Sequence, residues 1–279
     1  MSVVPPLLVA GPGRSGTTLL CRLLALHPDL AWFSGWSARL PRWPAVAAIH
    51  RLNDWEALER RSRSWRRWSR AAEAYGCWDA CFPGFSAARE DWGPDRVDPA
   101  GAERLRGMVA GHRRWQGKPG FMTKYTGWPR LEFMAAALPG SRVVWIDRDP
   151  RAVALSYQKQ RWWYKRRPEA YAALSMRERV DFYAERYMEF WRARVRHEAG
   201  EEYLRVRYED LVEDPEGVLS RICADRGLAW SGTYRRRVAS YPIRRDANRA
   251  TAARRPPVEW AAFGERLAGP LAELGFAPR

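Results

Sequence analysis

Short apolar runs alternate along the chain with segments whose apolar residues recur at helical spacing. The run Leu7–Ala10 is followed by the leucine-rich stretch Leu19–Leu26, which predicts a buried strand and then a helix. Further strands are predicted at Phe121–Tyr125, Val143–Ile146 and Tyr203–Tyr208. Strands that alternate with helices indicate an α/β fold with a central parallel sheet flanked by helices.

Several segments between and after these strands have the sequence signatures of helices. Ser175 and Glu178 have the spacing of a capping box, so a long helix is predicted from residue 175 to about residue 199. Other helices are predicted at Pro129–Leu138, from Pro150 onward, and at Val258–Leu274. Proline is favoured in the first turn of a helix, which supports the start at residue 150.

A segment rich in tryptophan and arginine, at about residues 40–115, interrupts this alternation. Between Trp55 and Tyr75, aromatic and small apolar residues recur at helical spacing, and six arginines occupy the other face. The stretch Ala31–Pro44 is predicted to be irregular and to border the active-site cleft. We therefore expect one domain over residues 1–279, with a variable helical insertion or cap at about residues 40–115.

The charge of the chain indicates an anionic partner. The formal net charge is +16, from 48 basic and 32 acidic residues, and all but four of the basic residues are arginines. Such a surface attracts nucleotides, nucleic acids, acidic glycans and anionic membranes. The arginine-rich face between residues 60 and 70 is either the solvated face of an amphipathic helix that packs its tryptophans on the body, or part of a cap that binds an anionic or lipid-linked acceptor or touches a membrane.

The cysteines and the hydropathy pattern limit the class of protein. The four cysteines form neither a disulfide scaffold nor the two pairs of a zinc site, so we expect free thiols and no metal. No apolar run reaches the roughly 18 residues of a membrane span, and the short N-terminus has no room for a cleavable signal. The sequence predicts a cytoplasmic protein, with any membrane contact at its periphery.

The stretch Gly11–Thr18, between the first strand and the first helix, has the composition of an anion-binding loop. Its two glycines, Gly11 and Gly16, have the spacing of a P-loop, but two threonines follow where a nucleotide triphosphatase has lysine and then serine or threonine. Arg14 supplies a positive charge with a planar fork that suits oxyanions. We expect backbone N–H groups and the helix N-terminus to bind an anion here. The fold expected is a three-layer fold of P-loop type.

A second anion site is predicted at the end of the strand Val143–Ile146. Arg148 follows this strand, and Ser156 lies eight residues later on the next helix, where both can reach one phosphate. Together with Gly11–Thr18, these residues resemble the motifs of sulfotransferases that use 3′-phosphoadenosine 5′-phosphosulfate (PAPS). The wording Arg-Ser-Gly-Thr-Thr-Leu-Leu, followed by Leu-x-x-His-Pro, is most similar to the tyrosylprotein and bacterial carbohydrate/lipid branches.

This resemblance implies a role for each matching residue. It places the 5′-phosphosulfate on Arg14, Ser15, Gly16, Thr17 and Thr18. It places the 3′-phosphate on Arg148 and Ser156, and the adenine on Tyr208. It further implies a basic residue over the nucleotide, which is Arg255 or its neighbour Arg254. It makes Arg14 and Lys124 catalytic, with Lys124 beside the transferring sulfuryl group.

The sequence departs from the nearest branch at the general base. That branch has a glutamate shortly after the His-Pro element, whereas the stretch from Ala31 to Arg39 has no carboxylate. An acceptor alcohol needs a group within hydrogen-bond reach to remove its proton. The candidates considered in the variable segment are His50, Asp54, Glu56, Asp79 and His112, and the sequence does not choose among them.

The resemblance implies transfer of a sulfuryl group from PAPS to a hydroxyl or amine of an acceptor, with no metal. The acceptors considered are a glycan, a glycolipid or another amphipathic metabolite. One alternative is a P-loop small-molecule kinase, because Val143–Asp147 resembles a strand whose aspartate holds Mg²⁺. Another is a basic nucleic-acid-binding protein that would use Arg60–Arg70 and Arg161–Arg167. Neither stretch forms a known nucleic-acid recognition motif, so no specific nucleic-acid partner is expected.

Overall fold

Five parallel strands form one sheet in the order β2-β3-β1-β4-β5. The structure is a computed structural model that describes residues 4–54, 68–88, 90–126, 128, 130–158, 169, 172–197, 203–243 and 257–276. The strands are β1 (Leu7–Ala10), β2 (Leu30–Trp32), β3 (Gly120–Lys124), β4 (Arg142–Asp147) and β5 (Tyr203–Arg207).

Helices connect and cover these strands. In chain order they are α1 (Thr17–Ala25), α2 (Gly35–Arg39), α3 (Tyr75–Cys81), α4 (Pro99–Gln116), α5 (Leu131–Ala137), α6 (Pro150–Gln158), α7 (Met176–His197), α8 (Tyr208–Glu213), α9 (Pro215–Arg226), α10 (Gly232–Ala239), α11 (Pro257–Arg266) and α12 (Ala268–Glu273). Two 3₁₀ segments lie at Pro44–Asp54 and Pro94–Arg96. None of the helices in the described part of the chain is both long and apolar enough to span a bilayer.

Both faces of the sheet are buried at its central strand β1, whose four residues are all apolar. Leu8 and Ala10 of β1 belong to one hydrophobic cluster, while Leu7 and Val9 belong to the other. The first cluster includes side chains of α3–α7, α11 and α12, and the second includes side chains of α1, α9 and α10. Helices therefore cover each face, which confirms the predicted three-layer α/β fold.

The position of β1 sets the position of the site. It lies at the centre of the sheet, with β3 on one side and β4 on the other. The connection from β1 leads toward one edge, and β4 and β5 continue toward the other edge. In such sheets a crevice opens at the carboxyl ends of the strands where the direction changes. The residues that follow β1, β3, β4 and β5 meet at this crevice.

The prediction of an irregular Ala31–Pro44 is wrong in its first half. The last two residues of β2 lie there and pair in parallel with β3, which is distant in sequence. Ser34 then caps α2 by accepting from the Ser37 backbone N–H at 3.2 Å, and Ser37 Oγ accepts from the Ser34 N–H. A three-residue strand is too short to show periodicity, and only its partner reveals it.

Two predicted element ends also need correction. Tyr208 does not end β5 but begins α8, where Glu209 and Asp210 suit the positive end of a helix. The predicted helix Val258–Leu274 is two helices, α11 and α12, with a break at Leu267. Proline at position 270 has no N–H for the carbonyl four residues earlier, which explains the break.

Only part of the predicted helix from Trp55 to Tyr75 lies among the described residues. Residues 55–67, with most of the arginine-rich face, lie outside the described residues. Its last third is wrong, because residues 69–74 are not helical and a separate helix, α3, begins at Tyr75. Ala71 instead forms an antiparallel bridge with Ser34, and the Ala72 N–H donates to the Phe33 carbonyl at 3.0 Å.

Three buried histidines make the stability of this fold depend on pH. Burial lowers the pKa of His50, beside Trp32, to about 3. Burial also lowers the pKa values of His27 and His112. In the unfolded chain each titrates near pH 6.5, so below that pH the unfolded state binds more protons than the folded state.

We therefore expect the histidine contribution to the free energy of unfolding to fall as the pH drops below about 6.5, and the comparison with a histidine variant isolates it. Each of the three histidines contributes up to about 1.4 kcal/mol per pH unit in the window between its two pKa values. Urea unfolding between about pH 7 and pH 5 measures this slope. The matched variant His50→Gln should have a shallower slope than the wild type, and an equal slope would contradict the assignment.

Candidate functional site

The residues between β1 and α1 form a glycine loop, residues 11–16, that opens toward the crevice. Gly11 and Gly16 have φ angles of +153° and +103°, and Arg14 has a φ of +71°, so the backbone turns sharply. Among the described residues, no side chain caps the start of α1, and the Ser15 hydroxyl is buried without a hydrogen-bond partner. A helix N-terminus without a side-chain cap and a buried hydroxyl without a hydrogen-bond partner are suited to binding an anion.

A second group of polar side chains, the arginine cluster of Arg14, Arg148 and Ser156, lies against the glycine loop. Arg14 Nε donates to Ser156 Oγ at 3.0 Å, and Arg148 Nη1 donates to the Arg14 carbonyl oxygen at 3.0 Å. Burial lowers the pKa of the Arg148 guanidinium. The two anion-binding motifs predicted from separate parts of the sequence are thus in direct contact. The side chain of Arg14 reaches Ser156, the residue that the sequence assigns to the second motif.

Tyr208 lies between the glycine loop and Arg148. A Cβ atom at position 16 would overlap the Tyr208 ring, so glycine is needed there for contact as well as for conformation. The Arg148 guanidinium lies 4.6 Å from the centroid of the same ring. The tyrosine at the start of α8 therefore packs on both the glycine loop and Arg148.

Lys124, the last residue of β3, lies on the other side of the glycine loop. Its Nζ donates to Thr18 Oγ1 at 2.7 Å and forms an ion pair with Glu73 Oε1 at 3.1 Å. The lysine side chain is only 7% exposed, whereas that of Glu73 is 28% exposed. Sequence reasoning missed Glu73. The only signal for it was a carboxylate within the variable segment, and nothing local links that segment to β3.

The other candidates for a general base lie elsewhere or outside the described side chains. His112 Nδ1 donates to the Met108 carbonyl at 2.9 Å, and its Nε2 accepts from Ser37 at 2.8 Å. Asp79 accepts from the backbone N–H of Ser86 at 2.8 Å and from its hydroxyl at 2.5 Å. His50 is buried beside an aromatic ring. Asp54 and Glu56, and also Arg254 and Arg255, have no described side chain.

The aspartate that suggested a kinase has a structural role within the sheet. Asp147, at the end of β4, is buried, and its two oxygens accept from Trp145 Nε1 and from Arg205 Nε, each at 2.9 Å. The bond from Arg205 fastens β4 to β5, and the two bonds together satisfy both carboxylate oxygens. Among the described residues, no group of three or more histidine, cysteine or carboxylate side chains is arranged around a common point for a metal ion.

Known proteins match this chain in sequence pattern and in fold. The model described as Sulfotransferase family matches residues 5–232. The fold is similar to that of the sulfotransferase STF9 from Mycobacterium avium, with a TM-score of 0.60 and 18% identity, over 99% of this chain and 78% of that chain. No curated protein sequence matches the chain.

Two further solved structures have the same fold at low identity. The mouse sulfotransferase SULT7A1, complexed with PAP, has a TM-score of 0.52 and 12% identity, over 97% of this chain and 86% of that chain. The sulfotransferase domain from the curacin biosynthetic pathway has a TM-score of 0.51 and 15% identity, over the whole of both chains. Because the family model covers the glycine loop, all five strands and Tyr208, the chain belongs to the sulfotransferase family.

Proposed function

We propose that this sulfotransferase transfers the sulfuryl group of PAPS to a hydroxyl group of an acceptor. The observation that carries the proposal is the contact between two anion-binding groups, the glycine loop and the arginine cluster, at the switch point of the sheet. PAPS has one anion at its 5′ end and another at its 3′ position. A site with two adjacent anion-binding groups and an aromatic ring between them fits that pattern of charge.

Each group has a defined part in binding the nucleotide. The N–H groups at the start of α1 and the Ser15 hydroxyl bind the 5′-phosphosulfate. Arg148 and Ser156 bind the 3′-phosphate, and Arg14 adds a second guanidinium to that end. Tyr208 contacts the adenine with an aromatic ring that Arg148 and Gly16 already hold in place. Arg255 is proposed to cover the nucleotide, on the family resemblance alone.

The chemistry requires alignment of the acceptor oxygen and stabilisation of the leaving phosphate. A bond forms between the acceptor oxygen and sulfur while the bond between sulfur and the 5′-phosphate oxygen breaks, and 3′-phosphoadenosine 5′-phosphate (PAP) leaves with the electron pair. Lys124 donates a hydrogen bond to Thr18 in the first turn of α1, which supports the proposal that its ammonium stabilises the negative charge that develops on the leaving oxygen. The glycine loop holds the nucleotide in line.

Titration calorimetry with PAP tests the donor site. Each hydrogen bond from a charged group contributes about 1.5–3 kcal/mol, so Arg148→Ala should weaken PAP binding by about 10-fold to 150-fold. The matched control is Arg142→Ala, at the other end of β4, where the side chain contacts only the Asp225 carbonyl at 3.5 Å among the described residues. PAP should bind more tightly than Mg·ATP. Tighter binding of Mg·ATP would support the kinase alternative, and equal effects of the two variants would contradict the role of Arg148.

The acceptor that we infer is amphipathic and anionic, such as a glycolipid, because an exposed groove has a lining that suits one. This groove runs between the end of α2 with residues 40–44 and the helices α3 and α4, in two adjoining parts of about 510 Å³ and 400 Å³. Its lining combines apolar and basic side chains: Leu40, Trp43, Met108, Arg39, Arg42 and Arg104. The helix α3, which starts two residues after Glu73, contributes Ala80 and Cys81 at its other end to this lining.

Exposure and charge support a lipid-linked acceptor in this groove. Trp43 is 70% exposed and Leu40 is 44% exposed, and arginines flank both residues. Tryptophan beside basic residues is typical of surfaces that lie in the headgroup region of a membrane. An acceptor with an apolar chain and an anionic head would contact both kinds of side chain at once.

Sedimentation with lipid vesicles tests this acceptor surface. We expect binding to vesicles of phosphatidylcholine mixed with phosphatidylglycerol, and weaker binding to phosphatidylcholine alone. A basic residue near an anionic surface contributes about 1 kcal/mol, so Arg42→Glu should weaken binding at least about fivefold. Trp43→Ser should also weaken it, whereas Trp115→Ser, another exposed tryptophan beside an arginine, should not. Equal binding to both kinds of vesicle would contradict a lipid-linked acceptor.

A further inference from the structure

We propose that Glu73 is the general base that removes the proton from the acceptor hydroxyl, an inference that rests on the proposed sulfuryl transfer. A neutral hydroxyl is a weak nucleophile, and a positioned carboxylate within hydrogen-bond reach makes it a stronger one. The residues at the end of β2 and directly after it, from Ala31 to Arg39, include no carboxylate. The structure brings one to the same place from a segment more than thirty residues later in the chain.

Backbone contacts hold the segment of residues 68–76 against the end of β2. Ala71 forms the antiparallel bridge with Ser34, and the next N–H donates to the Phe33 carbonyl at 3.0 Å. A Cβ atom at Gly35 would lie 2.8 Å from Trp68, and one at Gly76 would overlap the Ala38 carbonyl oxygen. Both ends of the segment are therefore packed too closely on α2 to shift. Glu73 lies between these two contacts.

The side chain of Glu73 is oriented by its neighbours rather than left to solvent. Its Oε1 accepts from Lys124 Nζ at 3.1 Å and also from Thr126 Oγ1. Thr126 is held in turn, because its carbonyl oxygen accepts from the Tyr75 hydroxyl at 3.0 Å. Both bonds to the carboxylate end on the same oxygen, and the side chain remains 28% exposed. A carboxylate that is fixed through one oxygen and still partly exposed has the geometry that a general base requires.

Lys124 connects the proposed base to the glycine loop. The Nζ atom of Lys124 contacts both Thr18, in the first turn of α1, and Glu73. An acceptor hydroxyl that contacts Glu73 therefore lies beside the lysine that faces the developing charge. As the bond between the acceptor oxygen and sulfur forms, the hydroxyl proton passes to the Glu73 carboxylate. The bond from sulfur to the 5′-phosphate oxygen breaks, and the protonated carboxyl then releases its proton to water.

A different role for Glu73 is to hold Lys124 in position, and the two roles predict different results. A positioning residue acts on the leaving group, so its loss lowers transfer to every acceptor by the same factor. A general base acts on the acceptor proton, so its loss matters only for acceptors that still carry that proton. Acceptors of different acidity therefore separate the two roles in one variant, Glu73→Gln, which keeps the size and polarity of the side chain.

The experiment follows PAP formation from bound PAPS in a single turnover, with phenol, with 4-nitrophenol and with water alone. Phenol and water keep their protons at mildly alkaline pH, whereas 4-nitrophenol is largely ionised. We expect Glu73→Gln to lower the rate with phenol and with water by about 10²-fold to 10⁴-fold. With 4-nitrophenol the loss should be less than about tenfold, because no proton has to be removed. PAP affinity should be unchanged or slightly higher.

The matched control is Glu90→Gln, the same substitution in the same variable segment, at an exposed residue that pairs with Arg96 at 3.4 Å. It should leave all three rates at the wild-type value. Equal losses of Glu73→Gln with every acceptor, or full activity with phenol and water, would overturn the assignment while the donor site stands. A wild-type chain that does not bind PAP in calorimetry would instead overturn the proposed function.

Discussion

The burial of β1 on both faces and along both edges is the constraint on which the site depends. Its four residues are all buried, and β3 and β4 pair with it on either side. The polar groups that follow this strand can therefore be accessible to a ligand only at its carboxyl end. The glycine loop lies there, and the carboxyl ends of β3, β4 and β5 deliver Lys124, Arg148 and Tyr208 to the same edge. Anion binding and the apolar core thus follow from one arrangement of strands.

The contacts within the crevice are mutually dependent. Gly16 accommodates the Tyr208 ring, that ring lies beside the Arg148 guanidinium, and Arg148 bonds to the carbonyl of Arg14. On the other side of the loop, Lys124 joins Thr18 to Glu73. The proposed nucleotide side therefore contacts the glycine loop itself, and the proposed acceptor side contacts the first turn of α1 directly after that loop.

Much of the fold could be predicted from sequence, because strong local patterns marked it. The glycine loop, the capping box at Ser175 and Glu178, and the strand that ends before Arg148 all lie where the patterns predict them. Short or non-local features could not be predicted. The strand β2 is defined only by its pairing with β3, and Ala71 is held by a bridge to Ser34. Hydrophobic periodicity cannot predict such contacts, because it describes only the local pattern of residues along the chain.

The sequence by itself determined the family and the three-layer α/β fold, and it predicted most residues of the proposed donor site, since each of these is encoded in a short motif with a direct chemical meaning. Only the tertiary structure decided that Arg14 reaches Ser156 and that Glu73 pairs with Lys124. The physical reason is the same in both cases. Ion pairs and hydrogen bonds between distant segments depend on how the backbone brings those segments together. The chemistry of the side chains is compatible with many such pairs, so it cannot by itself predict which of them form.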